Sequence, residues 1–468
     1  MNRDDLCYTP ATELAKAVRE KRLSPVEITE AVLERIDAIN PKLNAYCTPT
    51  AEQAMAKARA AEQAVMDGKR LGPLHGVPYS VKDLVITKGV RTMRGSKIYE
   101  HFVPEEDTPA VERLRGAGGI LLGKTCSPEF GWKGVTDSPV TGITRNPWNL
   151  EMTPGGSSGG ASAQVAAGLG PLAIGTDGGG SIRIPAGFTG IFGIKPSFGR
   201  VPTYPASNHD MLSHMGPMTR TVSDAALMLS VMAGPHEADR FSLEDGPADY
   251  EELLDRGVGD LRIAWSRDLG YARVDPQVAA LTERAAQAFA ELGAQVDAVD
   301  PDFGDPTDTF ITLYVLGAGG GLADLLEEWE SRMDPGLVTV VKMAASFKGL
   351  DVIRAQMARH QYWDRVRRFF DRYDLLLTPT LAVPAFRVGQ LVPNPERSSL
   401  RDMFAWTPFS YPFNMTGNPA ASVPCGFTDE GLPVGLQIVG RRFADLTVLQ
   451  ASYAFEQARP WADQRPKL

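Results

Sequence analysis

Residues 171–185 read PLAIGTDGGGSIRIP: a short apolar run, three successive glycines, one serine and a β-branched stretch. The run Pro171–Thr176 has the length and apolarity of a buried strand. Runs of the same kind recur as GILLG at 119–123, LRIAWS at 261–266, DLLLTP at 374–379 and VGLQIVG at 434–440. Helical patterns lie between and after them, over Asp224–Met232, Val278–Leu292 and Thr447–Gln457. Strands alternating with helices predict an α/β layered fold around a mostly parallel or mixed sheet. Nearer the start, LSPVEITEAVLERIDAIN at 23–40 predicts a helix. Ser24 is its N-cap, Pro25 its first residue and Glu27 the closing member of a capping box, with Ile28, Val32, Ile36 and Ile39 on one face.

A chain of 468 residues with 43% hydrophobic content can bury one large core or two to three ordinary ones. The acidic, turn-rich segment from about Gly234 to Gly259 is a possible boundary, but strand patterns on both sides of it can complete one sheet, so a single domain is expected. The formal net charge of -9 argues against nucleic acid or an anionic membrane as partner and for a small or neutral ligand. Cys7, Cys47, Cys126 and Cys425 are scattered without paired spacing or companion histidines, which predicts neither a metal site nor a disulfide framework. The first twenty residues have no apolar core of signal-peptide length, and no run approaches eighteen uninterrupted apolar residues, so a cytoplasmic protein is expected.

Two familiar patterns fail on context. Gly118–Thr125, GGILLGKT, has phosphate-loop spacing, but its apolar strand lies between the glycines and Pro128 follows almost at once. Gly155–Gly159, GGSSG, has nucleophile-elbow spacing, but TRNPWNLEMTP before it offers no strand to lead into the serine. The glycine triplet is more informative. Gly178, Gly179 and Gly180 can turn successive N–H groups toward one point beside the Ser181 hydroxyl, as an oxyanion hole requires; the alternative is a strand-end turn with a solvated serine. A serine needs a base, and a neutral, desolvated lysine serves as well as a histidine. Lys82, within GVPYSVKDLV, stands in a run suited to burial; alone, it reads as a snorkelling or ion-paired lysine, with Asp83 as a partner, rather than as a base.

The combination decides between these readings. GGSSGG at 155–160, GTDGGGSIRIP with its serine 24 positions after Ser157, and a lysine 75 positions before Ser157 resemble the amidase signature family. So do GKTCSPEFGW, GITRNPWN, GIFGIKPSFGRVP, GPMTRTVSDAALML, DLLLTPT and FNMTGNPAASVPCGF, in order from about Leu71 to Gln457. The resemblance implies one amidase domain over residues 1–468: a central mixed sheet covered by helices on both faces, an N-terminal helical segment at about 10–68, and a variable substrate-side region at about 235–400.

It also implies a Ser-Ser-Lys arrangement, with Ser181 as nucleophile, Ser157 as the bridging serine after a cis peptide bond, and Lys82 as general base. Gly178, Gly179 and Gly180 would form the oxyanion hole, the Gly131 backbone would touch substrate, and Asp177, Arg183 and Ser158 would support the loop. Gly178 departs from relatives, where an apolar residue or threonine often stands, which would loosen the nest or widen the acyl site. Neither metal nor organic cofactor is implied. The expected reaction is hydrolysis of small amides, acylamide or aryl-acylamide in type, by a monomer or homodimer. Trp132, Phe130 and the stretch from Phe310 to Leu325 are expected to line an apolar pocket. Carbamate or ester cleavage by the same serine is the nearest alternative. A glutaminase subunit of a transfer-RNA amidotransferase stands further off, because FGWKGVTDSPVTG differs from that subunit's serine-rich segment. A non-catalytic scaffold relative is further still.

Overall fold

In the computed structural model, residues 2–244, 249–397 and 399–468 are described, Asp210 by its backbone alone. Residues 245–248 of the predicted turn-rich segment, and Met1 of the N-terminal stretch, lie outside them. The helix begins where the sequence places it and runs Pro25–Leu43. Ser24 Oγ accepts the Val26 N–H at 2.9 Å and Glu27 accepts the Ser24 N–H at 3.1 Å. Ile28, Val32, Ile36 and Ile39 are all buried on the core side, as an amphipathic helix requires.

Strands from both sides of the 234–259 segment join one eleven-stranded mixed sheet. One half runs Tyr46–Pro49, Ile120–Thr125, Pro78–Lys82, Leu172–Asp177, His214–Thr219 and Phe192–Lys195. The other continues with Ala420–Phe427, Pro433–Gly440, Leu375–Pro379, Arg262–Trp265 and Gln295–Ala298. Helices flank the sheet in a single α/β domain, in agreement with the fold that the resemblance implies. Within GGILLGKT, Ile120–Thr125 is a buried strand, as its context indicates, and no α-helix opens at Thr125; only a short 3₁₀ turn follows, at Glu129–Gly131.

The feature that positions the site is a parallel pair. Pro78–Lys82 and Leu172–Asp177 lie side by side in parallel, Val81 opposite Ile174, so both end at the same sheet edge. That edge is where open α/β sheets place their ligands. Lys82 is the last residue of one strand, and the glycine triplet leaves the end of the other.

Among the described residues one segment, Thr307–Arg332, is long and apolar enough to cross a membrane by length and composition. Phe310, Tyr314, Ala318 and Leu322 on it line a cavity above the sheet edge, which accounts for that apolarity.

Candidate active site

Lys82 is fully buried. Its Nζ lies 2.7 Å from Ser157 Oγ, 2.8 Å from Ser158 Oγ and 2.9 Å from Thr176 Oγ1. Burial drives its pKa well below the ordinary lysine value, with the Asp177 carboxylate opposing the shift. Asp83 is not its partner: its carboxylate accepts the N–H groups of Met93 at 3.1 Å and Gly95 at 3.3 Å.

The three hydroxyls are not equivalent. Ser158 Oγ donates to the Thr176 carbonyl at 3.1 Å, so it can only accept from the amine. A neutral amine then has one N–H and one lone pair left for Thr176 and Ser157. With Thr176 as the second acceptor, the lone pair meets the Ser157 O–H, which is the arrangement that general-base chemistry needs. Accordingly, kcat/KM is expected to fall on acidification with one acid limb well below the ordinary lysine pKa, because protonation fills that lone pair. A rate that continues to climb toward pH 10 would mean that the amine is charged at neutral pH.

The serine loop owes its glycines to close packing. A Cβ at Gly156 would stand 2.7 Å from the Val135 carbonyl carbon, and one at Gly160 would stand 2.4 Å from Cys126 N. The Gly156–Ser157 peptide bond is cis, as the resemblance implies. The helix Gly159–Ala166 starts immediately after the two serines, with no strand before them. The Ser158 N–H donates to the Ser181 carbonyl at 3.2 Å and ties the two serine loops together.

On the other loop the structure corrects the predicted oxyanion hole. The Gly180 N–H donates to Asp177 Oδ1 at 2.7 Å, so it is committed to the carboxylate and not to a ligand. The N–H groups of Gly178, Gly179 and Ser181 make no hydrogen bond among the described residues and remain as donors. Only Gly180 of the triplet has a positive φ, 129°. Gly179 is needed for another reason, since a Cβ there would meet Phe310 Cζ at 2.9 Å. Gly178 has room, its added Cβ meeting only Ser213 Oγ at 3.8 Å. The departure at 178 therefore leaves space in the cavity. Gly178→Val is expected to lower kcat/KM for bulky amides about tenfold relative to acetanilide, as amine-release kinetics would register; equal losses on both would instead indicate damage to the loop.

Asp177 and Arg183 form a fully buried, two-pronged pair, Nη2 to Oδ1 at 2.9 Å and Nε to Oδ2 at 3.0 Å. Burial would raise the Asp177 pKa, but Arg183 overrides it and holds the carboxyl below its usual range. Arg183 also donates to the Ser410 carbonyl, Gln437 Oε1 and Asn414 Oδ1. Asn414 and Ser410 bond this loop in turn, Ser410 Oγ donating to the Gly179 carbonyl at 2.6 Å. Ser410, Asn414 and Thr176 lie outside the site residues that the sequence predicts. The motif FNMTGNP does contain Asn414, and Thr176 stands inside the glycine stretch.

Above the loop is a cavity of about 220 Å³ lined by Ser157, Ser181, Gly131, Gly178 and Gly179, and by the predicted aromatic side chains Phe130, Trp132 and Phe310. A Cβ on Gly131 would stand 3.1 Å from Ser157 Oγ, so the lack of a side chain there keeps that hydroxyl open to the cavity. Among the described residues no cluster of side chains is suited to hold a metal ion.

A family model described as Amidase matches residues 27–449. The chain is 44% identical over 471 residues to an acylamidase of Rhodococcus erythropolis, covering 100% of this chain and 98% of that one. It is 38% identical to a glutamyl-tRNA(Gln) amidotransferase subunit of Moorella thermoacetica, covering 99% of each. Among solved structures, a bacterial aryl acylamidase of the amidase signature enzymes superposes with a TM-score of 0.91 at 34% identity, covering 98% of this chain and 99% of that one.

Proposed function

The chain belongs to the amidase signature family of amide-hydrolysing enzymes, and from that premise we propose that it cleaves the C–N bond of small acylamides, aryl acylamides among them, with Ser181 as nucleophile. Neutral Lys82 takes the proton of Ser157, and Ser157 takes that of Ser181. The Ser181 oxygen then bonds the carbonyl carbon, and the N–H groups of Gly178, Gly179 and Ser181 receive the oxyanion. Collapse breaks the C–N bond while a proton returns through Ser157 to the departing nitrogen. Water attacks the acyl-enzyme by the same relay, releasing the carboxylic acid and restoring Ser181.

The observation that carries this reading is a fully buried lysine amine held among hydroxyls at the edge where Ser181 opens into the cavity. The likeness to the amidotransferase subunit supports a glutaminase less well. The α-ammonium of glutamine calls for an acidic partner, and no aspartate or glutamate lines this cavity among the described residues.

The reading is tested by trapping the acyl-enzyme. Brief incubation with a p-nitroanilide and acid quench should add one acyl mass to the peptide containing Ser181, with amine released before acid. Label on another residue, or none during turnover, would sink the assignment.

A further inference from the structure

The cavity that takes the substrate has an uneven electrostatic lining. No acidic side chain lines it among the described residues, whereas Arg94 and Lys133 do. Lys133 has no charge to spare, since two carboxylates that do not line the cavity hold its amine, Asp137 at 2.5 Å and Asp334 at 2.8 Å. Arg94 is not. No carboxylate or carbonyl among the described residues accepts a hydrogen bond from its side chain, and its Nε is buried without a partner.

Its surroundings fix it in place instead. The Arg94 N–H donates to the Asp83 carbonyl at 3.2 Å, and its carbonyl accepts the Phe130 N–H at 2.8 Å. The guanidinium lies over the Tyr99 ring at 4.7 Å and near Phe102 at 6.0 Å. Stacking covers a face of the guanidinium and leaves the N–H fork along its edge, the part that matches a carboxylate in two-pronged geometry. Four other buried nitrogens on this lining, Trp132 Nε1, Trp406 Nε1, His209 Nδ1 and His214 Nε2, also lack partners. The indoles can only donate, whereas His214, whose Nδ1 donates to the Leu212 carbonyl at 2.9 Å, can only accept at Nε2; the wall thus supplies donors beside the guanidinium and, among the described residues, no anionic acceptor.

We propose that Arg94 is a specificity residue that receives a carboxylate carried by the substrate, so that the preferred substrates are amides bearing a second, anionic end. This rests on the amidase reading and narrows it. A half-buried guanidinium in a cavity that no acid lines among the described residues favours an anion and repels an ammonium, and a fixed fork adds direction to charge.

The experiment compares two isosteric pairs of anilides: 4-acetamidobenzoate with 4-acetamidoacetophenone, and succinanilate with its methyl-ketone analogue 4-oxo-N-phenylpentanamide. Amine release is followed in wild type, Arg94→Gln and Arg94→Lys, and the readout is the carboxylate-to-ketone ratio of kcat/KM. Within one preparation that ratio is insensitive to the folded fraction. In at least one pair, Arg94→Gln should lower the ratio about tenfold, mainly through KM, with Arg94→Lys recovering part of it. Raising salt from 0.05 to 0.5 M should lower the wild-type ratio in the same pair. Ratios unchanged by Arg94→Gln in both pairs overturn the proposal. Should that variant fail to fold, wild-type ratios insensitive to salt in both pairs overturn it equally. Cleavage of the neutral ketone anilides tests the amidase reading separately, since it needs no anion.

Discussion

Lys82→Met is expected to lower kcat/KM on an anilide by on the order of 10⁴-fold, the scale of losing an essential member of a nucleophile–base unit, without lowering thermal stability. Methionine keeps the unbranched apolar stem and removes only the amine. The proposed relay then has no base, because no other titratable side chain is hydrogen-bonded to Ser157 among the described residues. The effect on stability has the opposite sign for a definite reason. The folded protein holds the Lys82 pKa well below that of the unfolded chain. Between the two values the unfolded chain binds a proton that the folded chain does not, so wild-type stability rises with pH across that window and is lost as pH falls through it. Methionine has no such linkage. The Tm advantage of Lys82→Met should therefore be fully present at pH values below the folded-state pKa and shrink toward pH 10.5. Scanning calorimetry over that range checks it. A variant that loses activity and melts well below wild type at every pH would mark Lys82 as a structural residue instead.

Arg183→Met is expected to cost about 3–5 kcal/mol of unfolding free energy, the cost of leaving a buried carboxylate unpaired. Asp177 would lose both prongs of the pair, while Ser410, Gln437 and Asn414 would each lose a donor. Asp177 also accepts the N–H groups of Gly180 and Ile182 on either side of Ser181, so the loop should lose its fixed shape together with its stability. Activity should fall even at temperatures where the variant remains folded. Asp177→Asn combined with Arg183→Met should cost less than the sum of the two single changes, because the pair is coupled. Urea unfolding of the three variants tests this; additive losses would mean that the two side chains act independently.

Much of the site is legible in the chain because its ingredients are local. A capping box, a five- or six-residue apolar run and a glycine triplet are governed by neighbouring residues, and these were read where the structure has them. The resemblance then matched Lys82, Ser157 and Ser181 to roles, and the geometry brings Lys82 and Ser157 within 2.7 Å with Ser181 on the same cavity. The strand Pro78–Lys82 was harder to see. Buried on both faces, it has no alternation to betray it.

The amino-acid sequence by itself determined the element types, the α/β class and the family, since backbone propensity, capping and motif order all act along the chain. Only the tertiary structure decided that Thr176 and Ser158 share the Lys82 amine, that the Gly180 N–H serves Asp177, and that Arg94 faces the cavity without a carboxylate. Each of these depends on which strands became neighbours. Strand order places residues tens of positions apart at one edge, and a donor's partner is fixed by that placement and by no pattern local to it.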